Sequence, residues 1–254
     1  MNILLTNDDG IFEPGIAALY KKLIELGSVT VVAPAMTQSG ASHSITITKP
    51  LIPEKIDIEG RFTGYRIEGS PADCVKLAVM ELLDEKPDLL VAGINHGANT
   101  GVNVFYSGTV AAAMEGAFLN IPAVAVSLAF EKEEKDMDFD SAAEYAVELI
   151  KKLMPIEPGY VININIPRLS KGKPKGIRVV PQSTCGYDEF YRRNEDENGN
   201  IFYQLGGSKH RKEEQPTDTS SIVEGYVTIT ALAADMTDRI HTEELKNKNF
   251  VLDI

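Results

Sequence analysis

Runs of apolar residues recur along most of the chain and predict the strands of a sheet. Leu89–Ile94 has no polar interruption, which is typical of a central parallel strand that is covered on both faces. The predicted strands are Asn2–Thr6, Val29–Ala33, Ser44–Thr48, Ile56–Ile58 and Tyr65–Ile67 as a hairpin region, Leu89–Ile94, Ala123–Leu128, Tyr160–Ile166 and Tyr226–Leu232.

Apolar residues at helical spacing lie between these strands. In Gly15–Leu26 they fall on one helix face, and Ser70-Pro71-Ala72-Asp73 combines a cap, a first-turn proline and an early acid. The predicted helices are Gly15–Leu26, Ala72–Leu83, Thr109–Leu119, Ser141–Met154 and Asp238–Asn247, with acidic residues 131–140 as a solvated connection. The alternation of strands and helices predicts an α/β fold with a doubly wound, mostly parallel, Rossmann-like sheet.

The C-terminal part of the chain has a different pattern. Residues 185–215 are polar and charged, with aromatic residues on both sides of Asn198-Gly199-Asn200, which predicts a β-hairpin arm with a tight turn. We therefore predict an α/β catalytic core over residues 1–182. Residues 183–254 are predicted to form an extension (arm, strand and terminal helix) that completes the same domain and serves oligomerisation.

Composition and charge exclude several kinds of partner and location for this protein. The 254 residues carry a net charge of −12, which argues against a nucleic acid polymer as partner, because such partners need clustered Lys and Arg. The two cysteines, Cys74 and Cys185, have no metal-like spacing and fit a reducing compartment. No leader and no apolar run long enough for a bilayer is visible, so a cytoplasmic protein without a membrane partner is expected.

Two adjacent carboxylates, Asp8 and Asp9, directly follow the first predicted strand and precede Gly10. Ligand sites of open α/β sheets lie at the carboxyl ends of the strands. Adjacent acids repel each other unless a cation or a proton neutralises one, so the pair predicts a hard-cation site with oxygen ligands. The alternative is structural, since Asp-Asp-Gly also forms turns and Asp also caps helices.

Two further loops carry oxygen atoms suited to the same site. Ser39 or Ser42, after the second strand, could ligate a metal or hold phosphate, and Asn95 and Asn99 follow the apolar strand. Because the carboxyl ends of parallel strands meet at one edge of a sheet, these groups are expected in one crevice with the two acids. Such oxygen ligands suit Mg²⁺, Mn²⁺ or Ca²⁺ better than Zn²⁺.

The segment Ser107–Thr109 opens an Ala-rich helix, and free N–H groups at a helix N-terminus bind anions. The alternative is that Ser107 or Thr109 only caps the helix. His43 and His96 lie in the candidate loops, where either could serve as an acid or support a ligand, or could simply be solvated.

Blocks of residues distributed over essentially the whole chain, in the expected order, resemble a known family. The blocks are Asn7-Asp8-Asp9-Gly10, Val32-Ala33-Pro34 with Ser39-Gly40, Gly69-Ser70-Pro71-Ala72-Asp73-Cys74-Val75, Gly93-Ile94-Asn95 with Gly97 and Asn99, Tyr106-Ser107-Gly108-Thr109-Val110-Ala111-Ala112-Ala113-Met114-Glu115-Gly116, Asn163-Ile164-Asn165-Ile166-Pro167, Gly176-Ile177-Arg178, Thr217-Asp218 and Glu224-Gly225-Tyr226-Val227-Thr228-Ile229-Thr230. Together they resemble the SurE family, the stationary-phase survival proteins with nucleotidase activity.

The resemblance implies a metal-dependent phosphatase that hydrolyses nucleoside 5′- and 3′-monophosphates to nucleoside and phosphate, and in some relatives short polyphosphate. It implies one divalent cation per subunit, Mg²⁺ or Mn²⁺, and dimers or tetramers with exchanged C-terminal segments. The implied metal ligands are Asp8, Asp9, Ser39 and Asn95, with Asp8, Asp9 and Asn95 catalytic, and the implied phosphate-binding residues are Asn99, Ser107, Gly108 and Thr109. The stretch Ala35-Met36-Thr37-Gln38 lacks the charges that many members carry there.

Two readings without hydrolysis remain as alternatives. A receiver-type signalling module also places two acids after the first strand, but by analogy it needs an aspartate where Asn95 falls and a lysine near Ser127-Leu128-Ala129. A nucleotide-binding module would carry a G-x-G-x-x-G or Walker A sequence, and neither is present. Within the phosphatase reading, the attacking group is either water or Asp8 itself.

Overall fold

A nine-stranded sheet forms the centre of the protein. The computed structural model describes residues 1–58, 60–131, 137–185, 190–206, 213–248 and 250. The strands are β1 (Asn2–Thr6), β2 (Ser28–Pro34), β3 (Pro53–Ile58), β4 (Phe62–Ile67), β5 (Leu89–His96), β6 (Ala123–Leu128), β7 (Tyr160–Ile166), β8 (Ile177–Val179), β9 (Phe190–Glu195), β10 (Ile201–Gly206) and β11 (Val227–Ala233). The order in the large sheet is β3-β4-β2-β1-β5-β6-β7-β11-β8, and β9 and β10 form a separate two-stranded sheet.

Parallel pairing surrounds β1. Leu4 of β1 is in register with Thr30 of β2 and with Leu90 of β5, and β5 continues in parallel to β6 and β7. The antiparallel pairs of this sheet are β3 with β4 and β11 with β7. The carboxyl ends of β1, β2, β5 and β6 consequently lie along one edge, as the sequence predicts for the candidate loops.

Helices cover both faces of the sheet. α1 (Pro14–Leu23) and α4 (Phe139–Leu153) lie on one face, and α2 (Pro71–Leu77) and α3 (Gly108–Phe118) lie on the other. Two further helices follow in the C-terminal part of the chain, α5 (Asp218–Val223) and α6 (Arg239–Lys246). Leu5 of β1 shares a core with Ile16 of α1, and its neighbour Leu4 shares the opposite core with Val75 of α2, since successive side chains of a strand point to opposite faces. This arrangement confirms the predicted doubly wound α/β fold. Every helix that the structure describes is too short or too polar to cross a lipid bilayer.

The strand predicted at Ser44–Thr48 is wrong, because these residues form no regular structure. The backbone N–H and the hydroxyl of Thr46 donate to the Asp73 carboxylate at 2.9 and 2.6 Å. The carbonyl of Ser44 accepts from the Ser70 hydroxyl at 2.6 Å. The segment is therefore tied to the N-terminus of α2, and its polar groups bond side chains there instead of a neighbouring strand.

The observed helices differ from the predicted ones mainly at their ends. α1 ends at Leu23, about one turn early. The helix begun by α2 changes at Ala78–Leu82 into a π-helical turn. α4 begins at Phe139, before the predicted Ser141, because the Asp138 carboxylate accepts from the backbone N–H of Ser141 at 2.9 Å and caps the first turn.

Some short elements were not predicted, namely β8, α5 and a 3₁₀ turn at Gly101–Phe105. They are too short to give a periodic pattern in the sequence. The acidic segment 131–140 was predicted as a solvated connection, and part of it instead supplies the cap and first residues of α4. Residues 132–136 of that segment lie outside the described residues.

The predicted hairpin is confirmed. β9 and β10, which we call the arm, pair in antiparallel fashion around the Asn-Gly turn, with Tyr203 opposite Arg193. Aromatic side chains on the arm, including Tyr191 and Phe202, are exposed, and α6 has no buried residue. Residues 186–189 and 207–212 of the predicted segment lie outside the described residues. The boundary at residue 182 stays a prediction, while β11 lies within the large sheet.

Candidate active site

The loop after β1 is closed by Asn7, a residue with no exposed surface. Its side-chain amide donates to the carbonyl of Gly10 at 2.7 Å, and its amide oxygen accepts from the backbone N–H of Gly10 at 3.3 Å. This pair of bonds fixes the turn that contains Asp8 and Asp9. Asn7 belongs to the first of the family blocks. Locally, the only sequence signal that Asn7 holds the turn is its position three residues before Gly10.

Asp8 lies against the first turn of α3. Its Oδ1 accepts a short hydrogen bond from the Thr109 hydroxyl. A Cβ atom on Gly108 would lie 2.8 Å from the Cβ of Asp8, so only glycine permits this approach. Burial raises the pKa of Asp8 to about 6; hydrogen bonds from Thr109 oppose the rise, and the charge of Asp9 adds to it. A carboxylate in this position is therefore stabilised by a cation.

Asp9 is half-buried beside the end of β5. Its Oδ2 accepts from the backbone N–H of His96 at 3.0 Å. Burial raises the pKa of Asp9, and the hydrogen bond from His96 opposes the rise. Both adjacent carboxylates consequently have a raised pKa in the absence of a cation, which is the behaviour expected of a charged ligand pair.

The loop after β2 is hydrogen-bonded to the loop after β1. The backbone N–H of Gln38 donates to the carbonyl of Asp8 at 2.7 Å, and the Thr37 hydroxyl donates to the carbonyl of Asp9 at 2.9 Å. Ser39 then lines a cavity of about 500 Å³ together with Asp9, Thr37 and His96. The structure thus brings Ser39 to Asp9 as the sequence predicts. Sequence reasoning missed Thr37, since a lone threonine in a loop gives no signal.

Asn95 lies near the carboxyl end of β5, where it is in register with Ser127 of β6. Its side-chain amide nitrogen donates to the carbonyl of Gly97 at 2.7 Å. The amide oxygen takes no part in this bond and remains suited to a cation. Asn95 directly precedes His96, whose N–H contacts Asp9, so it belongs to the same edge of the sheet.

Asn99 makes a different set of contacts. Its backbone N–H donates to the Asn165 side chain at 2.7 Å, and its side-chain amide donates to the Ser127 hydroxyl at 2.9 Å. The side chains of Asn163 and Asn165 donate to its carbonyl. These bonds hold the loop after β5 to the ends of β6 and β7. The role of Asn99 toward phosphate stays a prediction.

The residues that open α3 lie beside Asp8. The Ser107 hydroxyl accepts from the backbone N–H of Val110 at 3.1 Å, so the capping alternative holds for this side chain. The hydroxyl of Thr109 binds Asp8 instead. The first N–H groups of a helix have no partner within the helix and carry a partial positive charge. The start of α3 therefore offers anion-binding groups next to the carboxylates.

The two histidines of the candidate loops have separate surroundings. The Nε2 of His43 lies 2.9 Å from the carboxylate of Glu115, whose other oxygen accepts from Lys76 at 2.8 Å. The ring of His96 lies against Phe130, with ring centroids 4.2 Å apart, and it is the backbone of His96 that contacts Asp9. Sequence reasoning missed Glu115, because it lies within a helix and reads as a solvated acid.

A third residue missed by sequence reasoning, Asp218, organises the loop after Asn99. Asp218 at the start of α5 is fully buried and accepts from the backbone N–H groups of Gly101 at 2.9 Å and Ser183 at 2.8 Å. The Gln182 side chain donates to the carbonyl of Gly101 at 2.8 Å. Gln182 precedes the arm in the chain and Asp218 follows it, and both contact Gly101 in the loop of the candidate site. The match of Thr217-Asp218 to a family block was the available signal.

Fold and site together define a class: a doubly wound α/β protein in which carboxylate, hydroxyl and amide oxygens at the strand ends lie beside a helix N-terminus. A family model described as "Survival protein SurE" matches residues 3–189. The chain belongs to the SurE family, as the sequence predicted.

Individual relatives cover nearly the whole chain. Proteins named "5'-nucleotidase SurE" from Desulfitobacterium hafniense and from Rhodopirellula baltica are each 44% identical to it, over 97% and 98% of this chain and 96% and 99% of the relative. The crystal structure of the SurE protein from Aquifex aeolicus has a TM-score of 0.84 at 39% identity and covers 97% of this chain and 98% of that one. This likeness agrees with the fold described above.

Proposed function

We propose that this protein is a phosphomonoesterase that hydrolyses nucleoside 5′- and 3′-monophosphates to nucleoside and phosphate, with short polyphosphate as a further substrate. The observation that carries the proposal is the placement of Asp8 against Gly108 and Thr109, which joins a carboxylate pair to an anion-binding helix start. The names of the relatives support the nucleotidase class. They do not favour a receiver or binding module without hydrolysis.

The residues at this edge fit one divalent cation per subunit, Mg²⁺ or Mn²⁺. The proposed ligands are the carboxylates of Asp8 and Asp9, the hydroxyl of Ser39 and the amide oxygen of Asn95, an all-oxygen set with two negative charges. Burial raises the pKa of both acids, so a cation there offsets the cost of ionising them. When bound, such a cation polarises a phosphoryl oxygen and lowers the pKa of water.

The N-terminal turn of α3 is proposed to hold the phosphate. The backbone N–H of Gly108 and the positive end of the helix bind the phosphoryl oxygens and stabilise the charge of the transition state, whereas Thr109 hydrogen-bonds Asp8 and holds it beside this turn. We assign attack to a water molecule. Asp8 is a poorer nucleophile in this arrangement, because its Oδ1 accepts a hydrogen bond from the Thr109 hydroxyl and its carboxylate is assigned to the cation.

The test is phosphate release by the purified, chelator-treated protein from 5′-AMP, 3′-AMP and tripolyphosphate, with and without added Mn²⁺ or Mg²⁺. We expect turnover of the nucleotides only with metal. Ser39→Ala should reduce the increase in phosphate release that added metal causes. Asp140→Asn, at an exposed carboxylate, is the control and should leave that increase unchanged. Binding of AMP without phosphate release in any metal would contradict the proposal.

Two further properties belong to this proposal. The exposed aromatic residues of the arm and the unburied helix α6 support a homodimer or homotetramer that exchanges these segments. The thiols of Cys74 and Cys185 are both free, which supports a reducing, cytoplasmic location.

A further inference from the structure

A second cavity of about 360 Å³ runs along α3, beginning at Ser107. We propose that this cavity binds the nucleoside part of the substrate, and that its aromatic rings stack on the base. The inference rests on the proposed function, because it takes the phosphate to lie at the start of α3. Ser107 belongs both to the cavity wall and to the proposed phosphate segment, so a ligand can occupy the two sites at once.

The dimensions of the cavity match a nucleotide. Its floor is formed by one side of α3, from Ser107 through Val110, Ala111 and Met114 to Phe118. At a rise of about 1.5 Å per residue, Ser107 to Met114 spans roughly 10 Å. This is comparable to the length of a nucleoside monophosphate with its phosphate at the helix start. The volume also lies within the usual range for small-molecule sites.

The chemistry of the walls suits a base of any identity. The rings of Phe105 and Phe118 line the cavity and are 58% and 56% exposed. The ring of His43 lies parallel to Phe118, with an interplanar angle of 7° and centroids 5.3 Å apart. Every base has a π-face, so stacking on such rings binds bases with little preference among them. The flexible side chain of Met114 adapts to different outlines.

His43 is held in place by a hydrogen bond within the protein rather than by the ligand. Glu115, 3% exposed, lies 2.9 Å from its Nε2 and also accepts from Lys76. His43 follows Ser39 in the same loop, so one loop supplies both a proposed metal ligand and a wall of the proposed nucleoside cavity. A ring fixed in advance loses little conformational entropy when the base binds.

The larger cavity beside Asp9 is the less suitable place for the nucleoside. Its wall combines Met137 and Phe139 with the polar groups of Asp9, Glu13, Thr37 and Ser39. The wall of the α3 cavity is mostly apolar, so the α3 cavity suits a base better. The other possible occupant of the α3 cavity is a second copy of this chain, because Met236 at its rim is also exposed. The experiment below separates these occupants.

The test compares 5′-AMP with ribose 5-phosphate, which has the same phosphate and sugar but no base. The double variant Phe105→Ala/Phe118→Ala should raise KM for 5′-AMP roughly tenfold, from the loss of base stacking, with kcat unchanged. Its kinetics with ribose 5-phosphate should equal those of the wild type. Phe118→Trp keeps a ring and should retain the wild-type KM for 5′-AMP. Met80→Ala, at an exposed apolar side chain outside the cavity, is the control.

A binding readout keeps this inference separate from the proposed hydrolysis. Adenosine should bind to the wild type by calorimetry, and binding should weaken in the double variant whether or not any phosphate is released. An unchanged KM for 5′-AMP and unchanged adenosine binding would overturn the inference. An equal rise in KM for 5′-AMP and for ribose 5-phosphate in the double variant would also overturn it. A double variant that changes its oligomeric mass but binds adenosine like the wild type would overturn it too. Absence of turnover with intact adenosine binding would instead contradict the proposed function alone.

Discussion

The two adjacent carboxylates have unequal surroundings. Asp8 is buried under α3 and bonded by Thr109, whereas Asp9 is half-buried and faces the cavity that contains Ser39. The carboxylate of Asp8 is therefore positioned by the helix, and the carboxylate of Asp9 is closer to solvent. This difference predicts different consequences when each charge is removed.

Asp9→Asn should weaken Mn²⁺ affinity by tenfold or more, because a charged ligand becomes neutral, while activity recovers at high metal. Asp8→Asn should lower kcat even at saturating metal, because Asp8 also contacts the start of α3. Without metal, Asp8→Asn should melt about 2–4 °C above the wild type at pH 7, since burial disfavours the ionised acid. This difference should begin to shrink as the pH falls through about 6, where Asp8 takes up a proton in the folded protein, and should vanish only near the ordinary pKa of 3.8, where the unfolded chain takes one up as well.

These variants are measured by metal titration, phosphatase assay and melting curves with EDTA and with Mn²⁺. Asp140→Asn serves as the control at an exposed acid. Wild-type activity and a wild-type metal-induced shift in both Asp8→Asn and Asp9→Asn would mean that the pair is only a turn.

Gly108→Ala is expected to lower kcat roughly 10- to 100-fold, because small displacements of a catalytic group are costly. The added Cβ would lie 2.8 Å from the Cβ of Asp8 and 3.1 Å from the ring of Pro71, so Asp8 or the helix must move. Kinetics at saturating metal measure the effect. A melting temperature close to that of the wild type, taken with the loss of kcat, distinguishes a displaced site from an unfolded protein. Unchanged kcat would contradict the close approach of Gly108 to Asp8.

The sequence predicted that the loops after β1, β2 and β5 lie at one edge and that Ser39 lies near Asp9, because the carboxyl ends of parallel strands share an edge. Whether Asn95 joins them as a ligand stays a prediction. The sequence could not predict that Thr109 binds Asp8, since that contact depends on how α3 packs against β1. It also left open whether Ser107 caps its helix or holds phosphate. Residue-level contacts of this kind follow from tertiary packing rather than from local pattern.

At the scale of elements, the segment between β2 and β3 is held by carboxylates of the two helices on one face. Asp73 of α2 accepts from Thr46, and Glu115 of α3 lies against His43. The strand predicted at Ser44–Thr48 failed for this reason: its alternating β-branched residues fit a ladder, but the bonds to α2 replace one. The residues of Ser44–Thr48 alone do not reveal that a buried acid of α2, Asp73, accepts their hydrogen bonds.

Glu115→Gln should destabilise the protein by about 1–2 kcal/mol at pH 7, since it weakens charge-assisted bonds to a buried acceptor. The hydrogen bond from His43, and then Lys76, lowers the pKa of Glu115 below its ordinary value of 4.5. Its contribution is therefore fully present above pH 4.5 and is lost as the pH falls through the lowered pKa. The wild type and Glu115→Gln should accordingly converge in acid.

Urea unfolding at pH 7 and at successively lower pH values measures this convergence. Glu148→Gln, which removes an exposed pair with Lys151, is the control and should change the free energy of unfolding by under about 0.5 kcal/mol at every pH. A constant difference between the wild type and Glu115→Gln at all pH values would contradict the assignment.

At the scale of the whole molecule, the arm predicts assembly. Tyr191, Phe202 and Tyr203 are exposed on a hairpin that forms a sheet of its own, and two-stranded hairpins are marginally stable alone. Replacing the three by Ser should shift the protein toward monomer in light scattering at micromolar concentration. The matched control replaces exposed Met80 and Ile24 by Ser. A wild-type protein that is already monomeric would contradict the prediction.

The strand order near the arm sets a sequence of events in folding. β8 precedes the arm and pairs with β11, which follows it, and β11 lies between β7 and β8. Until β11 leaves the ribosome, β7 is an open edge and β8 has no strand to pair with among the described residues. Open edges invite pairing with other chains. The nascent polypeptide thus has its aggregation-prone interval while the arm is being synthesised, and insertion of β11 ends that interval and completes the sheet.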